Sequence, residues 1–304
     1  MEEVCGECMI SVRNVVKAFG EKIALNRVSF SSTKGINIIL GPNGAGKSTL
    51  LRCIDGLYRV DSGEVRVLGS DPYANDGLKS RLSLLSDNYA LYDALSVTDN
   101  LRFFGRLYGL SDVETLSRSK EVLDELKATE FLNSKVETLS RGTKQKIAFC
   151  RAVISRPDVL LLDEPTAFLD AFAAESVRRI LLGYAEEGKT ILFVTQKLDE
   201  VTRFNGRISV ISAGKIVRNT TTSGLYSTIL KNTKINVRLA RPMSTDVAMR
   251  IGGFVGADQG NATMLTFKID SYRDINKIVM QIAKNRGYVV GIDLLEPMLA
   301  GLSV

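Results

Sequence analysis

Apolar and polar positions alternate in two short stretches near the start of the chain, Ile10-Ser11-Val12-Arg13 and around Val28-Ser29-Phe30. This period of two predicts strands of a small antiparallel sheet within residues 1–35. Alternation then gives way to almost continuous apolar runs, Ile36-Asn37-Ile38-Ile39-Leu40, Val159-Leu160-Leu161-Leu162 and Ile191-Leu192-Phe193-Val194. Such runs suit strands buried on both faces. Helical patterning separates them, so the economical arrangement is a parallel sheet with helices on its faces.

Between these strands, residues 96–155 read as helical. Ser96 or Thr98 can cap a helix through Leu101 and Phe104, and Val113, Leu116, Val122, Leu123 and Leu126 carry an approximately helical apolar spacing. The stretch predicts a helical subdomain inserted into the sheet domain. Beyond residue 220 the rhythm changes at the polar, turn-rich Thr220-Thr221-Thr222-Ser223-Gly224. Ile235, Val237 and Leu239 alternate with polar residues, as do Leu265, Phe267 and Ile269, which predicts half-buried strands. Ile275, Ile278, Val279 and Ile282 have helical spacing, opened by a capping-box-like Ser271-x-x-Asp274 and closed near Gly287; a last strand candidate covers Tyr288 to Leu294. The expected organisation is therefore a domain over residues 1–220 and a small α+β domain over 221–304, ordered strand, helix, strand, helix, strand.

Composition narrows the chemistry. With 304 residues, 45% hydrophobic and 24% charged, the chain is an ordinary globular one. No apolar run approaches the roughly 18–20 residues that cross a bilayer, and the start lacks a basic segment leading into an apolar core. The expectation is a cytosolic or peripheral protein. The net charge of +6 would suit an acidic lipid surface or nucleic acid without selecting either. Cysteine occurs only as Cys5-x-x-Cys8, Cys53 and Cys150, too few for a disulfide framework and without the second ligand pair of a structural zinc site. Histidine is absent. That excludes Ser-His and Cys-His nucleophile pairs, histidine-ligated metals and histidine acid-base chemistry.

The strongest motif is Gly41-Pro42-Asn43-Gly44-Ala45-Gly46-Lys47-Ser48-Thr49, which fits G-x4-G-K-[ST] and lies between a predicted strand and a predicted helix. Glycines let the backbone form a nest of N–H groups aimed at phosphate oxygens, and the adjoining helix adds its positive end. Lys47 can reach β- and γ-phosphates, while Ser48 supplies a hydroxyl to Mg²⁺. After the second buried run come Asp163 and Glu164. In such a protein a carboxylate at the end of a neighbouring strand can hold the magnesium shell, and one beside it can orient or deprotonate attacking water. Asp163 is assigned the first role and Glu164 the second. A third piece, Leu139-Ser140-Arg141-Gly142-Thr143-Lys144-Gln145, opens a helix running through Ile147, Cys150 and Ile154. By itself this is an ordinary N-cap.

In this order, GPNGAGKST, LSRGTKQ and LLLDEPTAFLD closely resemble the nucleotide-binding cassette of ABC transporters, over roughly residues 8–218. The resemblance implies the fold class: an α/β P-loop NTPase cassette with a parallel-sheet core, a small antiparallel β-subdomain and a helical subdomain, continued here by the small α+β domain. It implies nucleotide contacts at Gly41, Asn43, Gly44, Ala45, Gly46, Lys47, Ser48 and Thr49. It also implies a head-to-tail pair of cassettes, with ATP between Lys47 of one and Ser140 with Gly142 of the other. Phe19 falls where the family stacks an aromatic ring on adenine, and Asp170 matches the loop through which one cassette senses the other's site.

Two positions depart from the family. The magnesium-reaching glutamine aligns with Asp87, or with Asn88 if the register slips by one, and the switch histidine is replaced by Gln196. An amide can donate a hydrogen bond to the γ-phosphate but cannot carry a proton at neutral pH. ATP turnover led by Glu164 is therefore expected, slower than in histidine-bearing relatives. The segment Leu91 to Thr98 and the length of the tail resemble ABC-2-type exporters. That resemblance implies an ATPase subunit on the cytoplasmic face of a membrane, docked on separate transmembrane permease subunits and paired with a second copy or a paralogue. Alternatives are a soluble ABC ATPase acting on DNA or ribosomes, or a nucleotide switch with negligible turnover. With no long coiled coil, no tandem cassette and no dense basic stripe with interleaved aromatics, no nucleic-acid partner is expected.

Overall fold

In the computed structural model, which describes residues 8–225, 233–258 and 262–295, the chain divides into two compact units, Met1–Asn219 and Thr220–Val304. Cys5 lies outside the described residues.

In the first unit the alternating segments become β1 (Ile10–Phe19) and β2 (Lys22–Ser32), and β4 (Ser62–Val67) joins them in an antiparallel sheet of order β2-β1-β4. The apolar runs become β3 (Gly35–Leu40), β6 (Val159–Asp163) and β7 (Thr190–Thr195). With β5 (Leu82–Leu85), β8 (Arg207–Ser212) and β9 (Lys215–Thr221) they build a six-stranded sheet of order β5-β6-β7-β3-β8-β9. Neighbours from β5 through β8 run parallel. Thr220 and Thr221, read from sequence as part of a turn-rich junction, complete β9.

Register decides what this sheet can do. Leu40 lies opposite Thr195, and Asp163 opposite Val194, so the carboxyl ends of β3, β6 and β7 finish level with one another. The segments leaving these strands meet at one edge, the place where open α/β sheets form their crevice. Helix α1 (Lys47–Ile54) starts there and is gripped from both sheets: Leu50, Leu51 and Ile54 share a core with Ile10, Val12 and Val67 on one side and Ile39, Leu161 and Val194 on the other.

Between β5 and β6 stand α2 (Val97–Leu107), α3 (Asp112–Glu125) and α4 (Arg141–Val153), with single-turn helices at Thr129–Phe131 and Val136–Thr138. Ser96, Ser111 and Ser140 cap the three longer helices, each accepting the N–H three residues on, which satisfies a donor the helix leaves open. The apolar face expected for α3 is partly wrong. Val113 is exposed, and the buried side is Thr115, Ser119 and Leu123. Small polar residues there let α3 approach closely: a Cβ on Gly105 would lie 2.1 Å from Thr115 Oγ1. Helices α5 (Ala171–Glu186) and α6 (Leu198–Val201) flank β7 in sequence.

The second unit holds β10 (Thr233–Leu239), α7 (Thr245–Ala248), β11 (Phe254–Ala257), β12 (Met264–Ile269), α8 (Tyr272–Lys284) and β13 (Val289–Leu294). The sheet is antiparallel, ordered β11-β12-β10-β13. Ile235, Val237, Leu265 and Phe267 from the strands and Ile278 and Ile282 from α8 form its core, and Ser271 with Asp274 makes the expected capping box. Strand β11 is an addition to the expected order. Its four residues include Gly256, too short and interrupted a segment to show a period.

No helix among the described residues is long and apolar enough to cross a membrane. Cys53 and Cys150 are buried, and burial pushes their thiols up to about 11 and about 12, so both are inert packing residues.

Gly46 has φ +101°, and a Cβ there would lie 2.5 Å from the Ala24 carbonyl oxygen. Gly46→Ala combines left-handed strain of about 1–3 kcal/mol with that clash and is expected to lower unfolding free energy by at least the strain, read by urea denaturation. Asp55, just past α1, is raised by burial to about 6, with Lys79 and Arg151 opposing. Between about pH 4 and that value the folded chain keeps a proton the unfolded chain has lost, so this group's contribution to stability falls as pH rises. Asp55→Asn cannot ionise. Its stability relative to wild type is expected to rise by at most about 3 kcal/mol between pH 4 and pH 7, measured by paired urea titrations.

Candidate active site

The loop after β3 is shaped by close approach. A Cβ on Gly41 would stand 2.3 Å from the Ile211 carbonyl oxygen, and Gly44 and Gly46 both have positive φ. Gly41 N–H is held by the Thr195 carbonyl at 3.2 Å, and the Ala45 carbonyl accepts from Gly214 N–H at 3.0 Å. Gly41 and Ala45 thus anchor the loop from beneath rather than line its mouth. Asn43, Gly44, Gly46, Lys47, Ser48 and Thr49 line a cleft of about 830 Å³. Lys47, 7% exposed, donates from Nζ to the Gly41 and Pro42 carbonyls, both at 2.9 Å. An ammonium has three donors, so one remains to be used. Burial lowers the Lys47 pKa, while Glu164 and Asp163 act to raise it.

The end of β6 adds Asp163 and Glu164 to the same cleft. Burial is the main cause that raises the Asp163 pKa; the Ser48 hydroxyl donates to its carboxylate and opposes the shift, and Asp87 adds to it. Glu164 is raised by burial too. Its Oε1 accepts from Gln196 N–H at 2.9 Å and its Oε2 from Thr195 Oγ1 at 3.2 Å. Glu164 has φ +46°, a left-handed conformation costly for a residue with a side chain. Its backbone is fixed on both sides, by the Val194 carbonyl at 2.9 Å and by Gln145 Nε2, which donates to the Glu164 carbonyl at 3.3 Å and to that of Pro165 at 3.0 Å. The result is a held carboxylate of raised basicity facing a buried ammonium, a geometry suited to a general base.

A buried carboxylate beside a hydroxyl also fits a hard divalent cation of the Mg²⁺ kind, which takes one or two protein oxygens and completes its shell with water and substrate phosphate. Among the described residues no group of three or more Cys, Asp or Glu forms a metal cage. Asp87, rather than Asn88, lines the cleft, and Arg52 of α1 pairs with it at 2.7 Å. Gln196 lines the cleft as well, but its contact with Glu164 is made by its backbone N–H.

The remaining expected residues lie elsewhere. Phe19, 47% exposed, meets Tyr58 edge-on at 5.4 Å and stands outside the cleft lining, beyond Lys22 and Ile23, which belong to it. Ser140 is engaged as the cap of α4, its Oγ 2.9 Å from Thr143 Oγ1, and a Cβ on Gly142 would stand 2.7 Å from the Phe168 carbonyl oxygen. Asp170 caps α5 through Ala173 N–H at 2.8 Å. None of the three lines the cleft. Sequence reasoning missed Lys22, Ile23, Tyr89, Phe168, Lys197, Ala213 and Gly214, which do. Most come from loops and from the antiparallel sheet, where no spacing rule ties them to the phosphate motif.

Comparison with known proteins identifies the family and the fold. The ABC transporter family matches residues 25–167. The chain is 36% identical to the spermidine/putrescine import ATP-binding protein PotA of Nitrosomonas eutropha over 222 residues, 72% of this chain; it spans only 61% of that relative's length. It is 32% identical to the linearmycin resistance ATP-binding protein LnrL of Bacillus subtilis, covering 76% of this chain and 75% of that one. Over 305 aligned residues, 97% of this chain and 92% of the relative, it is 29% identical to the daunorubicin/doxorubicin resistance ATP-binding protein DrrA of Streptomyces peucetius. Among solved structures, the dimeric post-hydrolysis state of the ATP-binding cassette MJ0796 bound to ADP and Pi matches with a TM-score of 0.65 at 26% identity, over 70% of this chain and 99% of that one. With 32% identity to LnrL over three quarters of both chains, and with the family's own match falling across the phosphate loop and the strand-end carboxylates, the chain belongs to the ABC transporter family of ATP-binding proteins.

Proposed function

We propose that the chain binds and hydrolyses ATP and couples this to export through a separate membrane permease, working as a head-to-tail pair with a second cassette. The observation that carries hydrolysis is the clamp on Glu164: both carboxylate oxygens are held by residues at the end of β7, burial raises its basicity, and Lys47 faces it. In this reading the loop N–H groups and the α1 N-terminus cradle the phosphates, and Lys47 turns its free donor to the β- and γ-oxygens. Glu164 takes the proton of the attacking water. Ser48 and Asp163 would hold Mg²⁺, with Asp87 at the edge of its shell; when bound, that ion neutralises charge on the phosphate oxygens. The clamp that holds both Glu164 carboxylate oxygens in the cleft favours turnover over a pure nucleotide switch.

The cleft gathers one half of the expected contacts, and Ser140 with Gly142 supplies the other half from the second cassette. A serine-capped helix start binds a γ-phosphate only when the cassettes close, so ATP favours the closed pair and loss of the γ-phosphate releases it. The second cassette is proposed as another copy or a paralogue, at the cytoplasmic face of the membrane.

Export is favoured over import by alignment length. The 222-residue match to the import protein PotA is the length of the first unit alone, whereas the 305-residue match to the resistance protein DrrA must include the second. We assign the second unit to dimer contact or regulation, because a small α+β domain following a cassette resembles the tails of ABC-2-type exporters.

Steady-state phosphate release tests the catalytic assignment. Wild type purified with the membrane protein that accompanies it from detergent-solubilised membranes is expected to release phosphate continuously, and Glu164→Gln to lose about 100-fold or more. Equal rates would remove Glu164 from its role. Co-expression of the pair should raise the host's tolerance to a panel of amphiphilic antibiotics, an effect absent in Glu164→Gln; unchanged or lowered tolerance would oppose export.

A further inference from the structure

The cleft presents three carboxylates, Asp87, Asp163 and Glu164, to a ligand that is itself highly anionic under the ATP reading. Asp163 and Glu164 have assigned work. Asp87, placed only at the edge of the Mg²⁺ shell, is the carboxylate whose charge is a burden while no cation is bound, since it acts on Asp163 in the unfavourable sense and Arg52 in the opposite one. The guanidinium of Arg52 reaches Asp87 Oδ1 at 2.7 Å and stands 5.9 Å from the centre of the Tyr58 ring. Tyr58 is fixed in turn, because the Arg52 carbonyl accepts its N–H at 3.1 Å and Phe19 meets its ring edge-on at 5.4 Å. Arg52 sits on α1, the helix that carries Lys47 and Ser48, so the pair ties the loop after β5 to the phosphate-binding helix.

We propose that Arg52 is a positioning residue for nucleotide binding, cancelling and orienting the Asp87 carboxylate so that a triphosphate can enter a cleft which would otherwise repel it. This rests on the ATP reading and deepens it. The Tyr58 ring, 5.9 Å from the guanidinium carbon, adds a cation–π contact. Because the pair is partly exposed, its worth lies within the range of surface ion pairs, up to about 1 kcal/mol, or about fivefold in affinity.

The test is fluorescence titration of the full chain with MANT-ATP in EDTA, which reads binding without metal or turnover. Arg52→Ala is expected to weaken binding about threefold to fivefold, less so at high salt. Asp87→Asn is expected to bind more tightly than wild type. The double variant, having lost both charges, should return to within about twofold of wild type, and Arg52→Lys should retain most of the affinity. If Asp87→Asn weakens binding as Arg52→Ala does, the pair is only a strut and the proposal fails. It also fails if the double variant stays as weak as Arg52→Ala, or if Arg52→Ala binds normally with an unchanged melting curve. Failure of wild type itself to bind MANT-ATP, or binding untouched by Lys47→Ala, would overturn the ATP reading and the proposal with it.

Discussion

Lys47 carries its charge to a place where 7% of its surface meets water, and the neighbourhood is arranged to keep that charge satisfied. An unpaired ammonium at such depth would lose its proton or leave. Two loop carbonyls accept from it, and Asp163 and Glu164 lie within electrostatic reach. Each compensating group depends on the sheet. The carbonyls exist there because Gly41 passes against Ile211 with no room for a Cβ, and the carboxylates because β6 ends level with β7 beside β3. Shift one strand by one residue and the carboxylates exchange faces, leaving the lysine without its partners.

The same depth divides the site in two. Lys47, Ser48, Asp163 and Glu164 share one cleft, whereas the Ser140 start of α4 lies outside its lining and is satisfied by its own Thr143. Gln145 of α4 nevertheless donates to the Glu164 and Pro165 carbonyls, so the helix that would face the partner's nucleotide is bonded directly to the backbone of the proposed base. Under the proposed function this bond joins two half-sites across one cassette: a load on α4 from the partner side bears on the segment that holds Glu164 in its strained conformation.

Where chemistry is local, the sequence was informative. Gly41 to Thr49, Asp163 and Glu164 could be placed because a loop, a helix start and a strand end are defined by adjacent residues. The parallel core was legible for the same reason, since Ile36–Leu40 and Val159–Leu162 are buried on both faces and carry no competing pattern. The features that escaped depend on distance or on weak periods. Arg52 and Asp87 meet across 35 residues, and neither position marks the other. Val113 fits a helical period but not the buried face, which α3 builds from Thr115 and Ser119 so that Gly105 can come near. Lys22 and Ile23 reach the cleft from the antiparallel sheet only because the two sheets grip α1 between them.

The substitution at residue 196 looks different once the bonds are traced. A histidine at that position would offer an imidazole to the phosphate, yet nothing in the orientation of Glu164 here calls on the residue 196 side chain. Oε1 is held by a backbone N–H, which any residue except proline provides, and Oε2 by the hydroxyl of Thr195, which in turn accepts from Lys197 N–H at 3.0 Å. Under the proposed function, placing the base and contacting the phosphate are therefore separate tasks for neighbouring groups. A chain wholly without histidine can lose the imidazole contact, put an amide in its place, and still keep the carboxylate where water would be activated. The structural requirement at the end of β7 falls on the hydroxyl of Thr195 and the path of the backbone, more than on the side chain of the next residue.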